Sequence, residues 1–110
     1  MKVFKFGGAS INSIERIQNV ARIIRSFEKD NIFIIISAMG KTTNALEKVT
    51  EAFFAGNREE ALQLFEEIKK VHNELALKLD VAREASLLIN DIYTEVEWLL
   101  HDKPVRDFDY

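Results

Sequence analysis

The chain reads as an α/β protein: a parallel β-α-β start followed by a helical segment. Three observations carry that reading. Val3–Phe6 is a short apolar run that stops at Gly7-Gly8, as a strand does on meeting a tight loop. Apolar residues then recur at helical spacing, at Ile14, Ile17, Val20, Ala21, Ile24 and Phe27. Ile32–Ile36 is apolar throughout, without alternation, which is the pattern of a parallel strand covered on both faces.

Taken in order, Asn12 precedes the first helix with Glu15 three residues on, a start resembling a capping box. Strand, helix and strand within the first 36 residues make a β-α-β unit, whose crossover is right-handed in nearly all cases. Beyond it the pattern is helical. Ala45, Leu46, Val49 and Phe53 form one stripe, closed by Gly56 where a helix takes its left-handed residue. Asn57 is placed to cap the next helix, with Glu60 in its third position. The buried face expected there is Ala61, Phe65, Ile68, Val71, Leu75 and Leu79. A last stripe runs through Ala85, Leu88, Ile89, Ile92, Val96 and Leu99. Two strands do not make a stable sheet alone. Ile32–Ile36 therefore calls for neighbours, and its apolar edge is expected to pair with another chain.

Composition narrows the function. The 110 residues include no cysteine, which removes disulfides, thiolate metal sites and cysteine nucleophiles. His72 and His101 lie far apart, so a zinc cluster is not expected and no metal-ligating residue is assigned. His72 reads as a packed or half-exposed helix residue. His101, Trp98 and residues 102–109 read as terminal packing and solvated charge. The net charge is −3, which disfavours nucleic acid as a partner. No apolar run is long enough to span a bilayer, and the start of the chain has no secretory leader pattern. The cytoplasm is the expected location. Residues 1–50 carry eight Lys/Arg against four Asp/Glu, and residues 51–110 carry seven against fourteen. Positive charge and loop glycines thus gather in the first half.

Parallel strands place their carboxyl-end loops at one edge of the sheet, where α/β proteins bind ligands. Those loops are Gly7-Gly8-Ala9-Ser10 and Ser37-Ala38-Met39-Gly40-Lys41-Thr42-Thr43. Each leads into a helix N-terminus, whose free N–H groups attract anions. Glycine lets backbone approach a phosphate, and Lys5 adds a point charge. The Gly-Gly pair is also compatible with a plain tight turn. Gly40-Lys41-Thr42 is not a Walker A loop, because Ile35 stands where that motif needs glycine. No G-x-G-x-x-G occurs.

Lys5-Phe6-Gly7-Gly8-Ala9-Ser10 resembles the K-F-G-G-[TS]-S opening of the aspartate kinases. Ser37-Ala38-Met39-Gly40-Lys41-Thr42-Thr43-Asn44 resembles that family's second loop, S-A-M-G-x-T-T-[ND]. Both occur in order, each after a strand, and the helical stretch from Ala45 fits the family in outline. The resemblance implies the N-terminal portion of a three-layer αβα amino-acid-kinase fold. Residues 1–45 would hold the phosphate and substrate loops, and residues 45–102 the helical segment. It implies phosphorylation of the side-chain carboxylate of L-aspartate by ATP, with Mg2+, at the head of lysine, threonine and methionine synthesis. Lys5 would neutralise charge during transfer, and Gly7 and Gly8 would offer N–H groups to the phosphates, with Ser10 nearby. Ser37, Ala38 and Thr43 would help hold aspartate. A homo-oligomer is implied as well. Ala9 departs from the usual Thr or Ser and has no side-chain role. The family's remaining substrate, nucleotide-base and regulatory elements would lie beyond Tyr110, so the 110 residues alone are expected to be inactive. Two other readings remain: a glutamate or acetylglutamate kinase of the same fold, and a non-catalytic helical interaction module. Ser37–Asn44 favours the aspartate branch.

Overall fold

Each apolar run of the first half becomes a strand in the computed structural model, which describes residues 1–81 and 83–102. β1 is Lys2–Phe6 and β2 is Ile32–Ile36. They pair in parallel, with Lys2 opposite Ile32, Phe4 opposite Ile34 and Phe6 opposite Ile36. Between them lie a single 3-10 turn, Gly8–Ser10, and helix α1, Ile14–Arg25. The chain divides into two compact units, Met1–Thr43 and Asn44–Tyr110.

In the first unit Phe6, Ile11 and Val20 are buried, with Phe4, Ile17, Ile23, Ile24 and Met39 packed against them. Phe4 and Phe6 share one face of the sheet, because side chains alternate along a strand. Val3, Phe33 and Ile35 stand on the opposite face and are exposed. β2 therefore lies open, as expected of a strand built for the middle of a larger sheet. The cap of α1 departs from expectation. Ser13, in extended backbone, is the N-cap, and its hydroxyl accepts from the Arg16 N–H at 3.2 Å. Asn12 and Ser13 are both good capping types; backbone geometry gives the place to Ser13.

The second unit is helical. α2 (Thr42–Phe54), α3 (Arg58–Leu79) and α4 (Arg83–His101) follow one another. Gly56 takes the left-handed conformation at φ +80°, and Asn57 caps α3, its side chain accepting from the Glu60 N–H. The buried cluster is Val49, Ala52, Phe53, Ala61, Phe65, Ile68, Tyr93 and Leu100. This corrects two expectations. Val71 is exposed, so the buried face of α3 stops at Ile68. On α4 the buried residues are Tyr93 and Leu100, with Ile89 and Val96 packed against them, while Leu88, Ile92 and Leu99 face outward. α4 carries two apolar stripes, and periodicity cannot say which one meets α3. His72 is half-buried and its Nδ1 bonds the Ile68 carbonyl at 2.8 Å. Among the described residues no helix is long and apolar enough to cross a membrane. Residues 103–110 of the terminal stretch lie outside the described residues.

Candidate phosphate- and substrate-loop site

The site begins at the carboxyl ends of the strands. Phe6 is opposite Ile36, so Gly7 and Ser37 leave the sheet side by side, and the Ser37 N–H donates to the Phe6 carbonyl at 2.9 Å. One more residue brings the loops into contact. A Cβ placed on Gly8 would stand 3.2 Å from the Ala38 carbonyl oxygen and 3.7 Å from the Gly40 backbone. Gly8 is therefore glycine because the second loop passes against it. Gly7 differs: extended at φ −77°, it has nothing among the described residues within 4 Å of a Cβ position. The clear space beside Gly7 leaves backbone approachable from outside.

The first loop is closed by the N–H groups of Ser10 and Ile11, which donate to the Gly7 and Gly8 carbonyls at 3.0 and 3.3 Å. The Ser10 side chain is exposed, but its N–H is thus engaged within the turn. Arg16, in the first turn of α1, reaches back and donates from its guanidinium to the Ala9 carbonyl. Sequence reading passed over Arg16. Its signal was a cation one turn into the helix that follows the loop.

The second loop turns through Gly40, which is left-handed at φ +52°. Thr42 locks the turn, its N–H and hydroxyl both bonding the Met39 carbonyl, at 3.1 and 2.5 Å. Thr43, one residue into α2, is exposed. The two threonines therefore have different roles: Thr42 shapes the loop, and Thr43 presents its side chain to solvent. Ser37 and Ala38 are exposed beside the first loop. Lys5 is exposed one residue before the end of β1, paired in register with Ile35. The fold thus brings Gly7, Gly8, Ser10, Ser37 and Ala38 to one edge, with Lys5 entering it and Thr43 leaving it. Among the described residues no three His, Asp or Glu side chains gather as metal ligands.

Comparison with known proteins bears on this arrangement. Residues 1–97 match the amino acid kinase family. The chain belongs to that family. Aspartokinase 2, chloroplastic, from Arabidopsis thaliana is 43% identical over 81 residues, 72% of this chain and 15% of that protein. The aspartokinase of Geobacillus stearothermophilus is 56% identical over 46 residues, 40% of this chain and 11% of that protein. The bifunctional aspartokinase/homoserine dehydrogenase of Daucus carota is 29% identical over 97 residues, 84% of this chain and 10% of that protein. The chain therefore spans 10 to 15% of the length of these relatives. Family membership accounts for the parallel start and its glycine loops, and the resemblance to aspartokinases seen in the two motifs holds across plant and bacterial relatives.

Proposed function

We propose that this chain carries the phosphate and substrate loops of an aspartate kinase, which transfers the γ-phosphoryl group of ATP to the side-chain carboxylate of L-aspartate. One observation carries the reading: two loops of small and hydroxyl residues leave a parallel pair together and touch at Gly8 and Ala38. The aspartokinase relatives support the choice of substrate.

Phosphoryl transfer asks mainly for positioning and charge stabilisation. Lys5 supplies a cation at a strand end, set against charge on the transferred group. Gly7 and Gly8 present backbone to the phosphates of ATP, and the open space at Gly7 fits that role. Ser10 stands beside them through its hydroxyl, since its N–H closes the turn. Ser37, Ala38 and Thr43 hold aspartate. Mg2+ accompanies ATP as the counter-charge of its phosphates, and no side chain here is assigned to it. The reading extends to a cytoplasmic homo-oligomer that engages neither nucleic acid nor membrane, in keeping with a net charge of −3. Residues 1–110 alone turn over no aspartate, because a partial site does not hold two reactants together.

A chimera tests the proposal. Residues 1–45, exchanged for the matching segment of the Geobacillus stearothermophilus aspartokinase, retain ATP turnover with aspartate and not with glutamate. Lys5→Met in that chimera raises the barrier by about 2–4 kcal/mol, by analogy with loss of one preorganised electrostatic contact. Thr43→Val raises KM for aspartate more than KM for ATP. Near-normal turnover in the Lys5→Met chimera removes Lys5 from the mechanism, and turnover with glutamate instead of aspartate reassigns the substrate.

A further inference from the structure

Each loop of the site carries an apolar residue whose side chain turns back into the protein, and both reach one cluster. Ile11 closes the first loop, its N–H donating to the Gly8 carbonyl at 3.3 Å. Its side chain is buried with those of Phe6 and Val20. Met39 stands in the second loop, next to Ala38, and its side chain packs against that same cluster. The backbones also touch, since Gly8 meets the Ala38 carbonyl and Gly40. A Cβ on Gly40 would lie 4.0 Å from that of Asn12. All these contacts fall within one compact unit, Met1–Thr43.

We infer that Met39 is a positioning residue: it sets the aspartate loop at a fixed distance from the phosphate loop by seating its side chain in the core that anchors Ile11. This role depends on the aspartate-kinase reading of the two loops. Met39 is gripped at both ends. Its side chain enters the core, and its carbonyl accepts from the Thr42 N–H and hydroxyl at 3.1 and 2.5 Å. Thr42 opens α2, and Thr43 follows it. A shift of Met39 is therefore passed to Ala38 on one side and, through Thr42, to Thr43 on the other.

The side chain suits that role. An unbranched thioether fills irregular gaps that branched neighbours leave. Met39 is the one long apolar residue among Ser37-Ala38-Met39-Gly40-Lys41-Thr42-Thr43, so its burial is what draws the loop onto the core. Phosphoryl transfer is mostly a matter of positioning, and a displacement of about 1 Å costs roughly 100-fold in rate. Shortening Met39 therefore acts on the transfer step, because both reactants keep the groups that bind them. Loss of the Thr43 hydroxyl differs, since it removes a contact to aspartate itself.

The chimera carrying residues 1–45 separates the outcomes. Met39→Ala is expected to lower kcat about 100-fold, with KM for ATP unchanged. Met39→Leu, similar in volume, restores most of the rate. Val20→Ala removes packing from the same cluster outside both loops, so it lowers the thermal midpoint without lowering kcat. Met39→Val shortens the anchor but keeps it apolar; it gives a smaller loss and serves if Met39→Ala does not fold. In the 110-residue chain, Met39→Ala moves the amide shifts of Gly8, Ser10 and Ile11, and Ile11→Ala moves those of Ala38 and Thr42. An active chimera whose kcat survives Met39→Ala, or falls equally with Val20→Ala, overturns the positioning role alone. A rate that Met39→Leu does not restore, or amides that stay in place on the opposite loop, overturns it as well. A chimera inactive before any Met39 substitution overturns the aspartate-kinase reading, and the positioning role with it.

Discussion

Gly8 and Arg16 hold the first loop in different ways, and substitution separates them. Gly8 is required by contact, since a Cβ would sit 3.2 Å from the Ala38 oxygen. Gly8→Ala should therefore push the two loops apart, at about 1–3 kcal/mol, the range for an inserted methyl in packed structure. Amide shifts of residues 37–40, on the other loop, should move with those of residues 7–11. Arg16 holds the loop from outside through the Ala9 carbonyl. Arg16→Met keeps the apolar stem and removes the donor, so stability should fall by no more than about 1.5 kcal/mol, the worth of one hydrogen bond. Faster hydrogen exchange confined to the Ser10 and Ile11 amides is the expected signature. Unchanged exchange there would leave Arg16 without a loop-holding role.

At the scale of elements, helix ends and one ion cluster set the stability of the helical unit. α3 ends at Asp80, a non-glycine residue in the left-handed conformation at φ 53°. Asp80 also places a negative charge at the helix C-terminus, the negative end of the dipole. Asp80→Gly removes both penalties and should stabilise by about 1 kcal/mol, read as a rise in thermal midpoint. Arg58, in the first turn of α3, donates to the last carbonyls of α4, Leu100 and His101, at 3.2 and 2.7 Å. Those are groups a helix end leaves unpaired, so Arg58→Ala should fray the end of α4. Between these ends, Lys69 bonds Glu97 at 2.5 Å and Glu66 at 3.0 Å, and its ammonium lies 5.6 Å from the Tyr93 ring centre. The hydrogen bond to Glu97, then that to Glu66, holds the Lys69 pKa above its ordinary 10.5. Burial likewise holds Tyr93 above 10.0, its hydroxyl having no hydrogen-bond partner among the described residues. Both folded pKa values are raised, so the stability they confer is complete below pH 10.0 and lost as pH rises through the folded values. Denaturant midpoints should thus fall above pH 10. Lys69→Met should flatten that fall, and Tyr93→Phe should flatten it further without destabilising the protein at neutral pH.

For the whole molecule, the two units bury very different cores. The first rests on Phe6, Ile11 and Val20, the second on eight residues from α2, α3 and α4. Local opening follows buried apolar contact. Amides of β2 should therefore exchange at denaturant concentrations that leave α3 and α4 protected. Among the described residues β2 has no strand on its second edge, so its protection should rise with protein concentration if copies pair there. Concentration-independent exchange in β2 would argue that its edge stays solvated.

Much of this protein was legible in order along the chain. Ile32–Ile36 is a strand to the residue because an unalternating β-branched run has few other uses, and Gly56 and Asn57 end and start helices through their own backbone chemistry. The two glycine loops were legible for the same reason: their residue types are those a close backbone approach demands. Other features depend on what lies across space. Two capping residues stood side by side, and backbone direction put Ser13 rather than Asn12 at the helix start. Two apolar stripes ran along α4, and packing against α3 took Tyr93 and Leu100 and left Leu88 and Ile92 outside. Arg16 and Arg58 look like surface cations in sequence, yet each bonds a carbonyl that only the fold brings within reach. Local propensity thus determined the elements and the loops by itself. Tertiary structure decided which face is buried, which orphan carbonyls find a donor, and that Gly8 meets Ala38, because those depend on distances between residues far apart in the chain.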